Sequence, residues 1–515
     1  MIRPASLRRG ADRAFCFRFS LQIFRNAGGT DSSVRRRCFL FGEAMTEYSE
    51  KTTYRDELVN AVLTFMAGEH RVNGVNEERI LQLAEQLASE APVFLLQLTA
   101  YARRECALRS VSHLLAAVTG RHAPAYAKAA VRAAARRTDD LCGILSDYKR
   151  IYGKPFPNAL RKGLAETFRT FDADSLARYR GGRGSVTLRD LVRICHPAPE
   201  DEEQEKLFRR IVRGELAAPY SWQTELSARG NTREVWDELI RSGKLGYFDM
   251  LRNLRSMFRT GADVGPVLAV LSDPARAKEA ELFPYRIYSA YLALKREGFL
   301  TAEAERALEK AAMASVAGLP RIPGRTLIAV DVSGSMREPV SPRSTVTWAD
   351  LAGFCASTAG FLCERSTTFR FSSAKDGHPG YVVYEGMNGG LLETANGTVS
   401  LPGALTDMHL PFRWALEEDR DPAPLDRMIF LSDNQCNVGK LSLHEDMEKY
   451  RREKNPELWI HAVDLQGRGA GPFRGERFDL LAGWNGSLFR LIPMVEQGLG
   501  TFTDQIASYP VEQFL

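Results

Sequence analysis

Apolar residues recur at three- and four-residue spacing along most of residues 52–318. RDELVNAVLTFMAG, EERILQLAEQLASE, APVFLLQLTAYARRE, PAYAKAAVRAAARRT and TAEAERALEKAAMASVAG all carry this pattern. It places their apolar side chains on one face of a helix. Breaks containing Gly, Pro and Asn separate the segments, and β-branched alternation is nearly absent. Many medium-length helices joined by short turns predict paired helices stacked as in a solenoid. No strict period marks a repeat array.

Around residue 320 the pattern changes. GLPRIPGR (318–325) reads as a Pro/Gly linker. Short β-branched or aromatic runs then alternate with helix-like stretches. The runs are TLIAVDV, TTFRFSS, YVVYEG, RMIFLSD and ELWIHAVDL. The helical stretches are ADLAGFCASTAGFLCER, LPFRWALEE and a charged segment near 444–454. Such alternation predicts a doubly wound, mainly parallel sheet, whose ligands bind at the carboxyl ends of the strands. The predicted fold class is multidomain, α plus α/β. It has a basic extension over 1–44, a helical module over 45–319 and an α/β domain over 320–515.

The 515 residues suffice for two to four domains. With 44% hydrophobic and 26% charged residues, the chain has the composition of a soluble globular protein. No apolar run approaches the length of a spanning helix, so no membrane is expected. Eight scattered cysteines without a CxxC pair argue for reduced thiols, against a zinc site, and for a cytoplasmic location. Residues 1–44 hold nine Arg, no Lys and three acids, with no apolar signal core. They read as an upstream start or disordered extension, or alternatively as a mitochondrial presequence. Residues 101–199 hold 19 basic and 8 acidic side chains, whereas residues 320–515 have an acidic balance of −6. The basic block is either a polyanion-binding face or a solvated helical surface.

The sharpest chemical motif is DVSGSM. Asp331, Ser333 and Ser335 follow the run Thr326–Val330, so one carboxylate and two hydroxyls gather beyond a strand end. Thr406 and Asp407 in GALTDMHL, and Asp433 ending MIFLSD, supply further oxygens. Hard oxygen donors suit Mg²⁺, or Mn²⁺, and not zinc. No positioned general base accompanies them, so hydrolysis is not expected.

On these residues, 325–515 resembles a von Willebrand factor A domain with its metal-ion-dependent adhesion site. The resemblance implies Asp331, Ser333, Ser335, Thr406 and Asp433 as the metal set. One departure stands out: Ala404-Leu405 replaces the Gly-Gly usual before the threonine, which makes Thr406 the loosest match. Upstream, ALRKGLAETF, LRDLVRICHPAP, DMLRNLRSM and LFPYRIYSAYLAL precede DVSGSM in this order. Together they resemble the Ro autoantigen family, whose helical part is the TROVE module, over about residues 55–515. The resemblance implies a ring of HEAT-like repeats closed by the A domain. It implies RNA as partner: single-stranded 3′ ends of misfolded non-coding RNAs in the hole, and structured Y-like RNAs on the basic outer surface. It also implies an exoribonuclease as co-worker, a monomer within a ribonucleoprotein, no DNA specificity and no catalysis.

The cationic residues give that expectation a physical footing. Lys128, Arg132 and Arg136 recur every four residues in one predicted helix with no acid inside it, making a stripe. Arg161 and Lys162 lie on another amphipathic helix. In RYRGGRGSVTLRDLVRICH, Arg178, Tyr179, Arg180 and Arg183 surround glycines in a loop that can follow a phosphate backbone, with Tyr179 as a stacking face. Arg189 and His196 follow; the family resemblance places His196 in the RNA cavity, and the alternative is a helix cap before Pro197. Arg252, Arg255 and Arg259 line one face of the LRNL helix, for RNA or for local ion pairing. Two function classes therefore compete. One is an RNA-binding scaffold in RNA quality control. The other is a protein-interaction module whose A domain captures a partner carboxylate through the metal. A metal-dependent nuclease is the weakest reading, since no two-metal carboxylate site accompanies the basic region.

Overall fold

The computed structural model describes residues 54–63, 74–178, 186–216, 221–280, 282, 284–341, 344–387, 389–396, 401–438, 443–466, 473, 476–482 and 488–515. The basic extension over 1–44 and the loop residues Tyr179, Arg180 and Arg183 lie outside them.

Among the described residues, the elements of the periodic stretch are helices. Its helices are α1 (Tyr54–Leu63), α2 (Gly74–Glu90), α3 (Pro92–Arg104), α4 (Arg109–His122), α5 (Ala127–Ala134), α6 (Thr138–Tyr152), α7 (Asn158–Arg169), α8 (Ala173–Arg178) and α9 (Leu188–Cys195). They continue as α10 (Glu202–Arg213), α11 (Trp222–Arg229), α12 (Arg233–Arg241), α13 (Tyr247–Thr260), α14 (Gly265–Leu271), α15 (Pro274–Glu279), α16 (Pro284–Arg296) and α17 (Ala302–Val316). Among the described residues, no helix is long and apolar enough to cross a membrane. Side-chain caps fix several starts: Thr187 and Asp190 cap α9 reciprocally, and Asp201, Thr232 and Thr301 cap α10, α12 and α17. Next-but-one helices pack together, α2 on α4, α4 on α6, α5 on α7 and α7 on α9. This is the paired-helix stacking that the spacing predicts.

The α/β half contains β1 (Ile322–Asp331), α18 (Trp348–Leu362), β2 (Cys363–Phe371), β3 (Tyr381–Glu385), α19 (Leu391–Asn396), α20 (Leu410–Glu417) and β4 (Arg427–Ser432). It continues with α21 (Leu443–Glu453), β5 (Trp459–Asp464), β6 (Phe478–Ala482), α22 (Leu488–Glu496) and α23 (Leu499–Ala507). The strand order is β3-β2-β1-β4-β5-β6, with only β3 antiparallel. β1 starts earlier than expected, at Ile322, inside the stretch that reads as a linker. Ile322 is fully buried, Gly324 takes the left-handed φ of +80°, and a register shift between Ile322 and Arg325 absorbs the Pro-Gly pair.

Alternation along the buried strands splits the core. Leu327, Ala329, Met428 and Phe430 face one side, beneath α20 and α21. Ile328, Val330, Ile429 and Leu431 face the other, and there the core is continuous with that of the helical half. Residues 52–515 accordingly form one compact unit. The helical array touches the α/β half at both ends: α16 and α17 pack on α18 and α19, and α23 packs on α1 and α3. The segment after α23 then runs into a second helical core. Val511 and Phe514 are buried there, the Gln97 amide donates to the Ala507 carbonyl at 2.5 Å, and the Tyr509 hydroxyl meets Glu105 at 2.9 Å.

Candidate functional site

The parallel pairing of β1 with β4 sets Val330 against Leu431, so Asp331 and Ser432 leave the sheet side by side, with Asp433 one residue further. Asp331 is fully buried. Its Oδ1 accepts from the Ser333 backbone N–H at 2.9 Å, and its Oδ2 accepts from the Ser432 hydroxyl at 2.6 Å. The Thr406 hydroxyl donates to Ser333 Oγ at 2.9 Å and lies 3.5 Å from Asp331 Oδ2. Asp433, also fully buried, accepts from the Gln435 backbone N–H at 3.2 Å. Ser335 opens a short 3-10 turn just outside and is half-buried.

The structure thus brings Asp331, Ser333 and Thr406 together, with Asp433 and Ser335 on the adjoining loops. The Ala404-Leu405 substitution is accommodated. Leu405 turns outward, 51% exposed, and the Ala404 carbonyl accepts the Gly334 N–H at 2.9 Å. Gly403 is needed beneath this loop, since a Cβ there would lie 1.9 Å from the Ser373 carbonyl oxygen. The Asn437 N–H donates to the Thr406 carbonyl at 3.0 Å and joins the loop to that of Asp433. Ser432 was not among the expected residues; its place one before Asp433, on the strand beside β1, is the signal for it.

Electrostatically, burial pushes the Asp331 carboxyl up to about 6. Hydrogen bonds from Ser432 and Ser333 pull it down, and the Asp433 charge adds to the rise. Asp331 has no ion-pair partner among the described residues. A buried carboxylate among hydroxyls, with no ion-pairing cation among the described residues, is a donor set that fits a hard divalent ion. Among the described residues, no group of three His, Cys, Asp or Glu side chains is placed to hold a metal.

The cationic stripe differs from expectation. Helix α5 ends at Ala134, so Arg136 lies beyond it. Arginines from α3 take the last carbonyls: Arg103 reaches Ala134 at 3.1 Å, and Arg104 reaches Ala133 at 3.2 Å and Arg132 at 2.9 Å. The backbone N–H groups of Arg136 and Arg137 both donate to Asp140 at 2.9 Å. These bonds turn the chain where sequence spacing alone continues the helix. Nor is the stripe uncompensated. Glu166 on α7 pairs with Lys128 at 2.5 Å and with Arg132 at 3.1 Å, and Arg132 also donates to the Phe514 carbonyl at 3.1 Å.

Other cations are open. Arg161 is spent on structure, donating to the Ile194 carbonyl at 2.8 Å and tying α7 to the end of α9. Lys162, Arg178, Arg189 and His196 are exposed, as is Arg193, which sequence reasoning did not single out. None of the four Lys and Arg side chains among them has a carboxylate within ion-pairing distance among the described residues. His196 caps α9 in the left-handed region, φ 49°, its N–H donating to Val192, while its ring stays in solvent. The cap geometry and an accessible imidazole therefore coexist. On α13, Arg255 and Arg259 pair with Glu297 at 3.3 and 2.6 Å, whereas Arg252 instead lies 5.8 Å from the Trp222 ring centre.

Parts of the chain are similar to known proteins. Residues 209–317 match the TROVE domain, and residues 325–459 match the Ro60 vWA domain. Telomerase protein component 1 of Rattus norvegicus is 34% identical over 147 residues, 28% of this chain; its Mus musculus counterpart is 36% identical over 114 residues, 22% of this chain. The matches span only 5% and 4% of those relatives. The crystal structure of the Ro (RSR) protein of Deinococcus radiodurans shares the fold, with a TM-score of 0.60 over 87% of this chain and 100% of that one, at 19% identity. The chain is thus similar to a TROVE domain over 209–317 and to a Ro60 von Willebrand A domain over 325–459, and it shares the fold of a solved Ro protein.

Proposed function

We propose that the protein is a non-catalytic RNA-binding scaffold that holds single-stranded 3′ ends of misfolded non-coding RNAs and structured Y-like RNAs. The observation that carries this reading is the set of exposed, carboxylate-free cations on and beside α7–α9: Lys162, Arg178, Arg189 and Arg193, with His196 at the end of α9. Such groups neutralise phosphates without first surrendering a protein partner, and release counterions as they do. Tyr179, Arg180 and Arg183, outside the described residues, are proposed as RNA contacts from their sequence pattern alone. Lys128 and Arg132 contribute less, because each phosphate contact competes with Glu166. The test compares K162A/R193A/H196A with wild type on a duplex bearing a 3′ single-stranded tail and on a blunt duplex. The expected result is a larger loss on the tailed RNA and a shallower dependence of log affinity on log salt. Equal losses on both RNAs refute the assignment.

In the same proposal, the A domain holds Mg²⁺, or Mn²⁺, through Asp331, Ser333, Ser335, Thr406 and Asp433, directly or through water. A second reading, capture of a partner's carboxylate at that ion, is favoured by Leu405, an exposed apolar side chain beside the loop. An exoribonuclease is the partner class that suits an RNA-holding scaffold, and the cytoplasm is the compartment that suits its reduced thiols. Mg²⁺-dependent, EDTA-reversible binding of a partner that D331N abolishes is the expected result for this second role.

A further inference from the structure

One surface lies outside both sites described so far. It forms where α11, α13 and α16 meet. Phe248 and Arg252 are one turn apart on α13, and both are exposed. The Arg252 guanidinium lies 5.8 Å from the centre of the Trp222 ring, the first residue of α11. The Arg286 guanidinium, on α16, lies 5.8 Å from the Phe248 ring and 5.9 Å from the Tyr285 ring. Aromatic and cationic groups therefore alternate across three helices.

The strip is held in place. The Trp222 indole N–H donates to Asp249 at 2.9 Å, and the Tyr285 side chain is buried. Beneath it, Leu251, Leu254 and Met257 are buried on the opposite side of α13. The outer members remain available. Arg252 and Arg286 have no carboxylate within ion-pairing distance among the described residues, unlike Arg255 and Arg259 one and two turns along, which share Glu297.

This chemistry selects its ligand. Planar guanidinium groups and ring faces stack on planar aromatic ligands, and the uncompensated positive charge favours one that carries phosphate. A cationic peptide is repelled. An acidic peptide supplies charge but nothing to stack. Stacked bases within a duplex do not offer their faces, whereas unpaired bases do. We infer that Trp222, Phe248, Arg252 and Arg286 form a base-stacking platform for single-stranded RNA, separate from the phosphate-binding cations of α7–α9. The inference rests on the RNA-binding reading and adds a base-contacting surface to it.

The test uses the full chain and three probes: a labelled single-stranded 12-mer RNA, an abasic strand of the same length, and a polyglutamate competitor. Wild type is expected to bind the base-bearing strand about tenfold or more tighter than the abasic strand. F248A/R252A/R286A, all exposed positions, should lower that ratio at least about fivefold, the base-bearing strand losing more than the abasic strand loses from the two missing charges. R252K/R286K keeps both charges and should still lower the ratio, because an ammonium group offers no plane. An unchanged ratio in the triple variant, with wild-type-like RNA binding, overturns the platform alone. So does polyglutamate displacing the base-bearing and abasic strands equally well. Failure of wild type to bind any RNA overturns the platform together with the RNA-binding reading.

Discussion

Asp140 offers the most demanding test of the helical half. Its carboxylate is fully buried at the start of α6, where five donors converge on it. Arg103 reaches it at 3.0 Å, His113 Nε2 lies 3.0 Å away, Arg109 makes a further close contact, and the Arg136 and Arg137 backbone N–H groups complete the set. Substitution D140N keeps the shape and removes the charge. One carboxylate oxygen becomes an amide NH₂ facing donors, Arg103 loses its counter-charge, and Arg109 is left with Asp139 alone. Removing one partner of a buried pair costs about 3–5 kcal/mol, two or more powers of ten in the folding equilibrium. Burial alone raises the Asp140 pKa, but the hydrogen bond from His113 and the charges of His113, Arg109 and Arg103 outweigh it and hold the carboxyl well below the usual range. The folded state therefore refuses a proton that the unfolded chain accepts near pH 4. The stabilisation is present above that pH and is lost as pH falls below it, at about 1.4 kcal/mol per unit. Urea titrations of wild type and D140N from pH 7 to pH 3, with hydrogen exchange read over residues 127–152, measure both effects. A pH 7 difference under about 1 kcal/mol, or a difference constant down to pH 3, refutes the reasoning.

Two further outcomes follow from the geometry. Phe514 is buried in the second helical core, so F514A is expected to cost about 3–5 kcal/mol and to raise hydrogen exchange in α3 and α5; unchanged exchange in those helices would contradict the packing. Added Mg²⁺ is expected to raise the melting temperature of wild type and not of D331N or G403A; a wild-type-sized rise in D331N would remove Asp331 from the ligand set.

The sequence made some of these features plain and hid others for physical reasons. β1, β4 and β5 are legible because strands buried on both faces read as continuous apolar runs. The sequence Phe478–Ala482 of β6 is equally apolar but short, and periodicity cannot separate such a run from a helical fragment. Ile322 looked like linker because Pro323 and Gly324 punctuate locally, while its burial is decided by the fold around it. The stripe of Lys128 and Arg132 was misleading for a related reason: their shared acid, Glu166, lies 38 and 34 residues away. Nothing local announces that it will sit opposite. In the candidate metal loop, the grouping of Asp331 and Ser333 beyond a strand end, with Asp433 after the neighbouring strand, was readable from type and strand position. That Thr406 joins them despite Leu405 depended on a side chain turning outward, which spacing does not encode.

Tyr509 meets Glu105 across 404 positions of sequence, and Arg132 meets Phe514 across 382. During synthesis, α3 and α5 emerge long before the residues that cover them. These two helices must therefore wait, with part of their apolar surface open to water, until the segment after α23 has left the ribosome. Biogenesis of this chain is thus a matter of timing: a surface on α3 and α5 is sealed by residues made some four hundred positions later, and a nascent chain stalled within the sheet leaves that surface bare to chaperones and proteases.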